Sequence, residues 1–392
     1  MRRTAPRILV GVGVAAATVM ALTAVASAVP VTPGTPRQGS LTKVGPVADN
    51  DFPAWYEDSN GIRLEACTTV DDPFCAVPPE EIGGPRNAPG EFFYQLAGAQ
   101  LNLVGGAQAT IGLDLEGAFA DEEAQEGPMV FGRVRIRFAA PAGQKYRITH
   151  PYGIDEIVAD AKDGVRFTED IGTTPGAFGG ALGSRIGPFL QWDPAVGPAA
   201  PAGYVGNPDV PHRVVGSPYG TNFVKVDRID AAGTVLAELG RTDLFSLQGR
   251  KATNSGVTFD QATYTVGADG RGVVEVYATS DPGQAIEITG NAALGFRTTR
   301  LTGQSGRYYG RLPVTGAVPA GASVEVVNAS DQPATRRSRP LIDVVTVAKA
   351  VYDANLHTLT VTAESSDRDA TPGVLSVTGF GPLGATPFAN VL

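Results

Sequence analysis

The chain of 392 residues carries 31 basic and 40 acidic residues, a formal charge of −9. That balance argues against nucleic acid and anionic membrane as partners. Its length suggests two or three domains, and no catalytic signature is legible in it.

The N-terminus reads as a secretory leader. Arg2, Arg3 and Arg7 precede an apolar run from Ile8 to Ala26, which closes on Ala26-Ser27-Ala28. A basic head, an apolar middle and small residues two apart predict cleavage after Ala28, so the leader is assigned to residues 1–28. An uncleaved anchor is the alternative, but Ala, Gly and Thr dilute the run and Pro30 follows at once. Losing the three arginines takes the formal charge from −9 to −12. No second long apolar run follows, so no membrane contact is expected after cleavage. Residues 29–45, rich in Pro and Gly, read as an exposed linker.

The stretch from Asp51 to Cys75, DFPAWYEDSNGIRLEACTTVDDPFC, holds both cysteines of the chain. Asp58-Ser59-Asn60-Gly61 favours a type I turn, which predicts a hairpin between FPAWY and IRLEAC. For Cys67 and Cys75 three readings compete. A redox pair favours Cys-x-x-Cys, which is absent. A zinc clamp needs four ligands, and no histidine is near. Two cysteines close together in a secreted chain most simply form a disulfide. Calcium is suggested by Asp71 and Asp72 and by the Asp-x-Asn-Gly run. The loop pattern fails at its twelfth position, which is Cys67 where Glu is needed, so solvated turn acids are the simpler reading. No cofactor and no metal are expected.

Strand patterns dominate the rest. FGRVRIRF, VVEVYA and HTLTVTA alternate strictly and are bounded by turn residues. The segment Ala109 to Ala120 is ambiguous, its alanines favouring a helix and its glycines opposing one. Residues 46–250 form the expected β-rich head. Within it, Asp193 to His212 is a long Gly- and Pro-rich loop.

Further on, the chain repeats. Val257, Thr258, Ala262 and Tyr264 return as Val345, Thr346, Ala350 and Tyr352. Val274, Val276 and Ala278 return as Leu359, Val361 and Ala363. A period a little under ninety residues matches an immunoglobulin-like sandwich. One repeat is expected over 251–340 and a partial one over 341–392. Half a sandwich leaves one sheet face and an edge bare. Three outcomes are open: the gene continues, the half unit docks on the full one, or a partner completes it. The fold class expected is all-β: a β-sandwich head, then immunoglobulin-like sandwiches, the last incomplete.

FPAWYEDSNGIRLEAC, followed by VFGRVRIRF, YRITHPYG, RFTEDIG and GSRIGPFLQW, resembles a family of uncharacterised secreted bacterial proteins in which a β-rich head precedes immunoglobulin-like repeats. The resemblance covers most of the chain after the leader. It implies this domain order and an extracellular setting, and transfers no activity and no catalytic residue.

The search for chemistry returns little. His150, His212 and His357 lie far apart, in no metal spacing. His150 and His212 each lie near a Pro-Tyr-Gly triplet, and the two triplets could face each other at one end of a sandwich. The simpler reading is a pair of good turns with packed rings. No Gly-x-Ser-x-Gly elbow is present. Carboxylates are plentiful (Asp114, Glu116, Asp121, Glu122, Glu123, Asp155, Glu156, Glu169, Asp170), but a glycosidase needs two across a cleft, which spacing alone does not establish.

The sharpest constellation is one for binding. Arg133, Arg135 and Arg137 share one face of a strand. If the strand after AAPAGQ pairs with it, Lys145 and Arg147 extend a basic face suited to an anionic glycan or cell-wall phosphate. The alternative is a solvated face paired to Glu169 and Asp170. Trp55, Tyr56, Tyr152, Trp192, Tyr204 and Tyr219 are candidates for sugar stacking, or else core residues. The expectation is a secreted, non-enzymatic protein that binds a polysaccharide or cell-wall polymer. An extracellular polysaccharide hydrolase and a purely structural envelope component are the alternatives.

Overall fold

Alternation of apolar and polar residues builds almost all of this chain into antiparallel sheets, and the computed structural model describes residues 40–69, 71–75, 82–83, 85, 88–368, 374–384 and 390–391. The expected leader and most of the expected linker lie outside the described residues. Among the described residues the only helix is a short 3-10 turn, Phe178–Gly183, and none is long and apolar enough to cross a membrane. The described residues divide into two compact units, with the boundary between Ala252 and Thr253.

The first unit opens with a small sheet in the order β1 (Leu41–Val44), β2 (Trp55–Asp58), β3 (Arg63–Glu65) and β17 (Arg250–Lys251). The hairpin expected here forms as β2 and β3, with Tyr56 opposite Leu64. Asp58 Oδ1 accepts the Asn60 and Ile62 amides across its turn, where Gly61 takes φ +75°. Strand β1 corrects the linker assignment. Leu41 is buried and Lys43 bonds Glu57, contacts that the surrounding Pro and Gly conceal in the sequence. A two-residue ladder of β4 (Ile82–Gly83) and β5 (Ala88–Pro89) follows.

Two larger sheets enclose the main core. The seven-stranded sheet contains β6 (Glu91–Asn102), β7 (Gln108–Asp121), β8 (Glu126–Phe138), β11 (Val165–Ile171), β12 (Gln191–Trp192), β13 (His212–Val215) and β16 (Leu244–Gln248), in the order β11-β8-β7-β6-β16-β13-β12. The four-stranded sheet contains β9 (Lys145–His150), β10 (Gly153–Val158), β14 (Val224–Ile229) and β15 (Val235–Thr242), in the order β10-β9-β14-β15. Val134, Ile136 and Phe138 of the first sheet share one apolar core with Tyr146, Ile148 and Val226 of the second. Phe138 and Tyr146 meet edge to face at 5.2 Å. The ambiguous segment is therefore strand, as β7, paired on both sides. One of its glycines is required by packing, since a Cβ on Gly117 would lie 2.4 Å from the Phe92 ring.

The second unit starts with a sandwich. One sheet contains β18 (Thr258–Val266), β19 (Arg271–Thr279), β22 (Thr302–Gln304), β23 (Arg307–Thr315) and β26 (Ile342–Asp343), in the order β22-β23-β19-β18-β26. The other contains β20 (Ile286–Ile288), β21 (Thr299–Arg300), β24 (Ser323–Asn328) and β25 (Thr335–Pro340), in the order β21-β20-β24-β25. Val257, Val274, Val276, Ile286 and Val326 fill the space between them. After it, β27 (Val345–Asp353), β28 (Thr358–Ser365) and β31 (Asn390–Val391) form a three-stranded sheet, beside a ladder of β29 (Ser376–Val377) and β30 (Gly381–Pro382). This partial sheet is tied to the sandwich before it. Strand β26 pairs with β18 in parallel, and the Tyr264 hydroxyl donates to Asp367 at 2.9 Å.

Candidate functional site

The expected basic face does not form as one surface. Strand β8 is already paired on both edges, by β7 and β11, so the chain crosses over through residues 139–144 and β9 joins the other sheet. There Lys145 and Arg147 grip Glu156, each at 2.6 Å, and Arg147 also donates to the Gly233 carbonyl. Burial opposes the Glu156 charge, but the two cations hold its carboxyl below the usual range.

On β8 the three arginines do share the face turned away from the core, and their neighbours divide them. Arg133 lies opposite Asp114 on β7 and Asp170 on β11. Its guanidinium forks onto Asp170 at 2.7 and 2.9 Å and reaches Glu116 at 2.8 Å. Arg133 thus pairs with Asp170, one of the acids the alternative named, but at a mostly buried position rather than a solvated one. Glu116 is buried, and burial with the adjacent Glu91 carboxylate pushes its pKa well up, against the pull of Arg133. Asp114 is also buried. Loss of water raises its pKa to about 7, despite the Ala97 amide at 3.3 Å and the charges of Arg135 and Arg133.

Arg135 and Arg137 differ. Arg135 lies opposite Gly112 and Thr168, and Arg137 opposite Thr110 and Arg166. Among the described residues neither makes an ion pair, and Arg135 Nε is buried with no hydrogen-bond partner. Arg137 reaches only the Thr168 hydroxyl, at 3.4 Å. Burial and then the like charges of Arg166, Arg135 and Arg133 lower the Arg137 pKa. Three guanidinium groups therefore gather at one end of the sheet with a single weak ion pair among them, Arg166 to Asp163 at 3.7 Å. Beside them Gly112 stands between Arg135 and Gly98: the Asp114 carboxylate lies over Gly112, 2.8 Å from where a Cβ would stand, whereas a Cβ on Gly98 would meet nothing within 4 Å. Arg166 was missed in the sequence, because only the pairing of β11 with β8 brings it to Arg137.

The aromatic candidates do not offer stacking faces. Trp55 is buried beneath the Arg63 guanidinium, 3.9 Å from its ring. Trp192 is buried and stacks on His212 at 4.2 Å. Tyr152 is fully buried, donating to the Pro188 carbonyl and accepting from Gln95. Tyr56 is likewise buried, and its hydroxyl donates to Phe178. Tyr204 is half-buried against Asp72, and Tyr219 is half-buried. Large rings bury 150–250 Å² each, so a sandwich of this size draws them inward.

The two Pro-Tyr-Gly turns do come together. The Ser217 hydroxyl donates to the Pro151 carbonyl and the Thr221 hydroxyl to that of His150. No nucleophile is poised there. His150 is buried, one ring nitrogen bonded to Asp155 at 2.8 Å and the other accepting the Tyr152 amide. Burial lowers its pKa, against the pull of Asp155. His212 is buried and bonds the Arg213 carbonyl, and His357 is exposed beside Tyr352.

Cys67 and Cys75 form a disulfide with Cα atoms 5.3 Å apart. Asp72 lies close to both sulfurs, but these are spent in the bond, and Asp72 itself accepts from Tyr204, Phe74 and Arg250. Cys67→Ser with Cys75→Ser is expected to lower head stability by about 2–3 kcal/mol, the loop-closure entropy of so short a ring. Urea unfolding followed by tryptophan fluorescence reads this directly. An unchanged midpoint would show that the bond constrains nothing.

Compared with protein-family models, curated proteins and solved structures, the chain matches none of them.

Proposed function

We propose that this is a secreted, non-enzymatic protein whose head binds an anionic extracellular polymer on the open end of the seven-stranded sheet. The observation that carries the reading is the Arg135, Arg137 and Arg166 cluster, gathered against mutual repulsion with one weak ion pair, Arg166 to Asp163, among its three guanidinium groups. An arginine fork matches carboxylate or phosphate in two bonds, and two strands away the half-buried Gly98 has open space where a Cβ would stand. The leader-like N-terminus and the resemblance of the opening motif agree with an extracellular setting. The repeats then act as spacers.

A hydrolase reading has one observation in its favour. Asp114 and Glu116 project from the same face of β7 with raised pKa values, as a proton donor requires. Both are sealed from solvent and Glu116 is held by Arg133, which leaves no room for a scissile bond.

Titration with a polyuronate, a polyglycerol phosphate and neutral dextran tests the proposal, with released reducing ends assayed in parallel. Binding confined to the polyanions is expected. Arg135→Ala and Arg137→Ala should each weaken it about tenfold or more, since a charge-assisted bond is worth about 1.5–3 kcal/mol. Lys145→Ala should leave it unchanged, because Glu156 already takes that charge. Equal binding of dextran, or indifference to both arginines, would sink the reading. Release of sugar would favour the hydrolase, and no binding at all the structural component.

A further inference from the structure

Two consecutive tyrosines in the first repeat meet opposite fates. Strand β23 opens Arg307-Tyr308-Tyr309-Gly310-Arg311, and successive side chains turn to opposite faces of a sheet. Tyr308 turns inward and is buried. Its hydroxyl donates to the Asp281 carbonyl and accepts the Gln284 amide. Tyr309 turns outward and is 36% exposed. Directly opposite it on β19 stands Tyr277, 41% exposed. The ring centroids are 5.0 Å apart and the planes are inclined at 42°. Among the described residues this is the one aromatic pair with both rings exposed. The head draws its large rings inward, so a pair left in water has forgone the burial that rings of this size favour.

Polar groups frame the pair. Across the sheet the row runs Thr302, Tyr309, Tyr277, Gln261. Glu275 and Arg311 face each other on one side of it, Thr279 and Arg307 on the other. Glu275 accepts the Tyr309 hydroxyl at 3.0 Å and lies 3.7 Å from the largely exposed Arg311. Thr279 donates to Asp260 at 2.7 Å. Arg307 makes no ion pair among the described residues. Two cations and two carboxylates thus leave the face without net charge, and they set donors and acceptors beside the rings. At both tyrosines the backbone is paired along both edges, so no free edge is offered to an extended peptide. A pyranose needs none. Its C–H bonds lie on the two faces of the ring and its hydroxyls around the rim, and each hydroxyl both donates and accepts. Tyrosine supplies such contact area while fixing only two torsions, and Tyr and Arg are residue types that binding surfaces concentrate.

We propose that Tyr277 and Tyr309 form a stacking platform for a neutral β-1,4-linked glycan. Arg307, Glu275 and Gln261 meet its hydroxyls. A chain of this linkage is an extended ribbon with flat C–H faces, which two neighbouring rings on a sheet can support together. Dextran, linked through a flexible exocyclic carbon, presents no such ribbon. The platform does not depend on the arginine cluster of the head, which selects anions.

Isothermal titration calorimetry of the full chain with cellohexaose and chitohexaose tests this, with isomaltohexaose as the flexible comparison. Saturable binding of at least one β-1,4-linked sugar is expected, and none of isomaltohexaose. Tyr277→Ala and Tyr309→Ala should each weaken binding about tenfold or more, as loss of an anchoring ring does at a binding surface. Tyr277→Phe keeps the ring and should bind as the parent does, which separates lost stacking from a lost fold. Tyr352→Ala removes an exposed ring outside the pair and should change nothing. Absence of binding by both β-1,4-linked sugars overturns the proposal. So does equal binding of isomaltohexaose, or binding indifferent to both tyrosines. A loss in Tyr352→Ala or Tyr277→Phe as large as in Tyr277→Ala also overturns it.

Discussion

Arg185→Met is expected to lower the stability of the head by about 3–5 kcal/mol, because it strips the cation from a buried charge network. Arg185 is 7% exposed and lies between the two large sheets. It reaches Glu169 at 2.8 Å and Asp155 at 3.1 Å, and Asp155 in turn holds His150 at 2.8 Å. Burial opposes charge on both partners. Against it, the Asp155 and Glu169 charges raise the Arg185 pKa, and His150 with Arg185 lowers that of Asp155. A depressed carboxyl adds stability above its unfolded pKa and loses it as pH falls through the folded one. The deficit in the variant should therefore shrink below the ordinary aspartate range, where Asp155 takes up its proton. Urea midpoints read from Trp55 and Trp192, both in the head, measure it. Arg213→Ala serves as the control. That pair with Asp243 is more than half exposed on both sides, and its loss should cost under about 1 kcal/mol. If Arg185→Met costs no more than the control, the network carries no stability.

Asp114→Asn is expected to stabilise the head at pH 8 and to leave it unchanged at pH 4. The folded protein holds the Asp114 proton up to about pH 7, whereas the unfolded chain releases it near the ordinary value of 3.8. Between these values the folded state binds more protons, so rising pH withdraws stability. At about 1.4 kcal/mol per pH unit the loss is of order 4 kcal/mol by pH 8. Asparagine removes the titration and keeps the oxygen that accepts the Ala97 amide. The difference between parent and variant should therefore open from pH 4 and level off above 7. A constant difference across that range would show that Asp114 keeps its charge.

Some elements are legible residue by residue and others are not, for a consistent reason. The β2–β3 hairpin follows from a turn of four consecutive residues, and β8 from strict alternation over Phe131 to Phe138. The repeat follows from matching residues, down to a bulge kept at the same position. In contrast, β1 lies in a stretch whose Pro and Gly suggest linker, and its burial comes from partners well beyond it, at Tyr56 to Asp58. The candidate site divides in the same way. That Arg133, Arg135 and Arg137 share a face is a property of one strand. That Arg133 is neutralised while Arg135 and Arg137 are not depends on Glu116 and Asp170 on one side, and on Gly112 and Arg166 on the other.

The sequence by itself determined the all-β class, the hairpin, the pairing of its two cysteines and the internal repeat. Each rests on local periodicity or on short spacing, where the chain's own geometry decides the outcome. Only the tertiary structure decided which strands are neighbours. It sent β9 to the sheet opposite β8, so that Lys145 and Arg147 face Glu156 rather than a ligand. It also drew Trp55, Trp192 and Tyr152 inward and brought Arg166 to Arg137. Strand pairing across long separations is settled by burial of whole sheet faces and by edges already filled, and neither is written in any one segment.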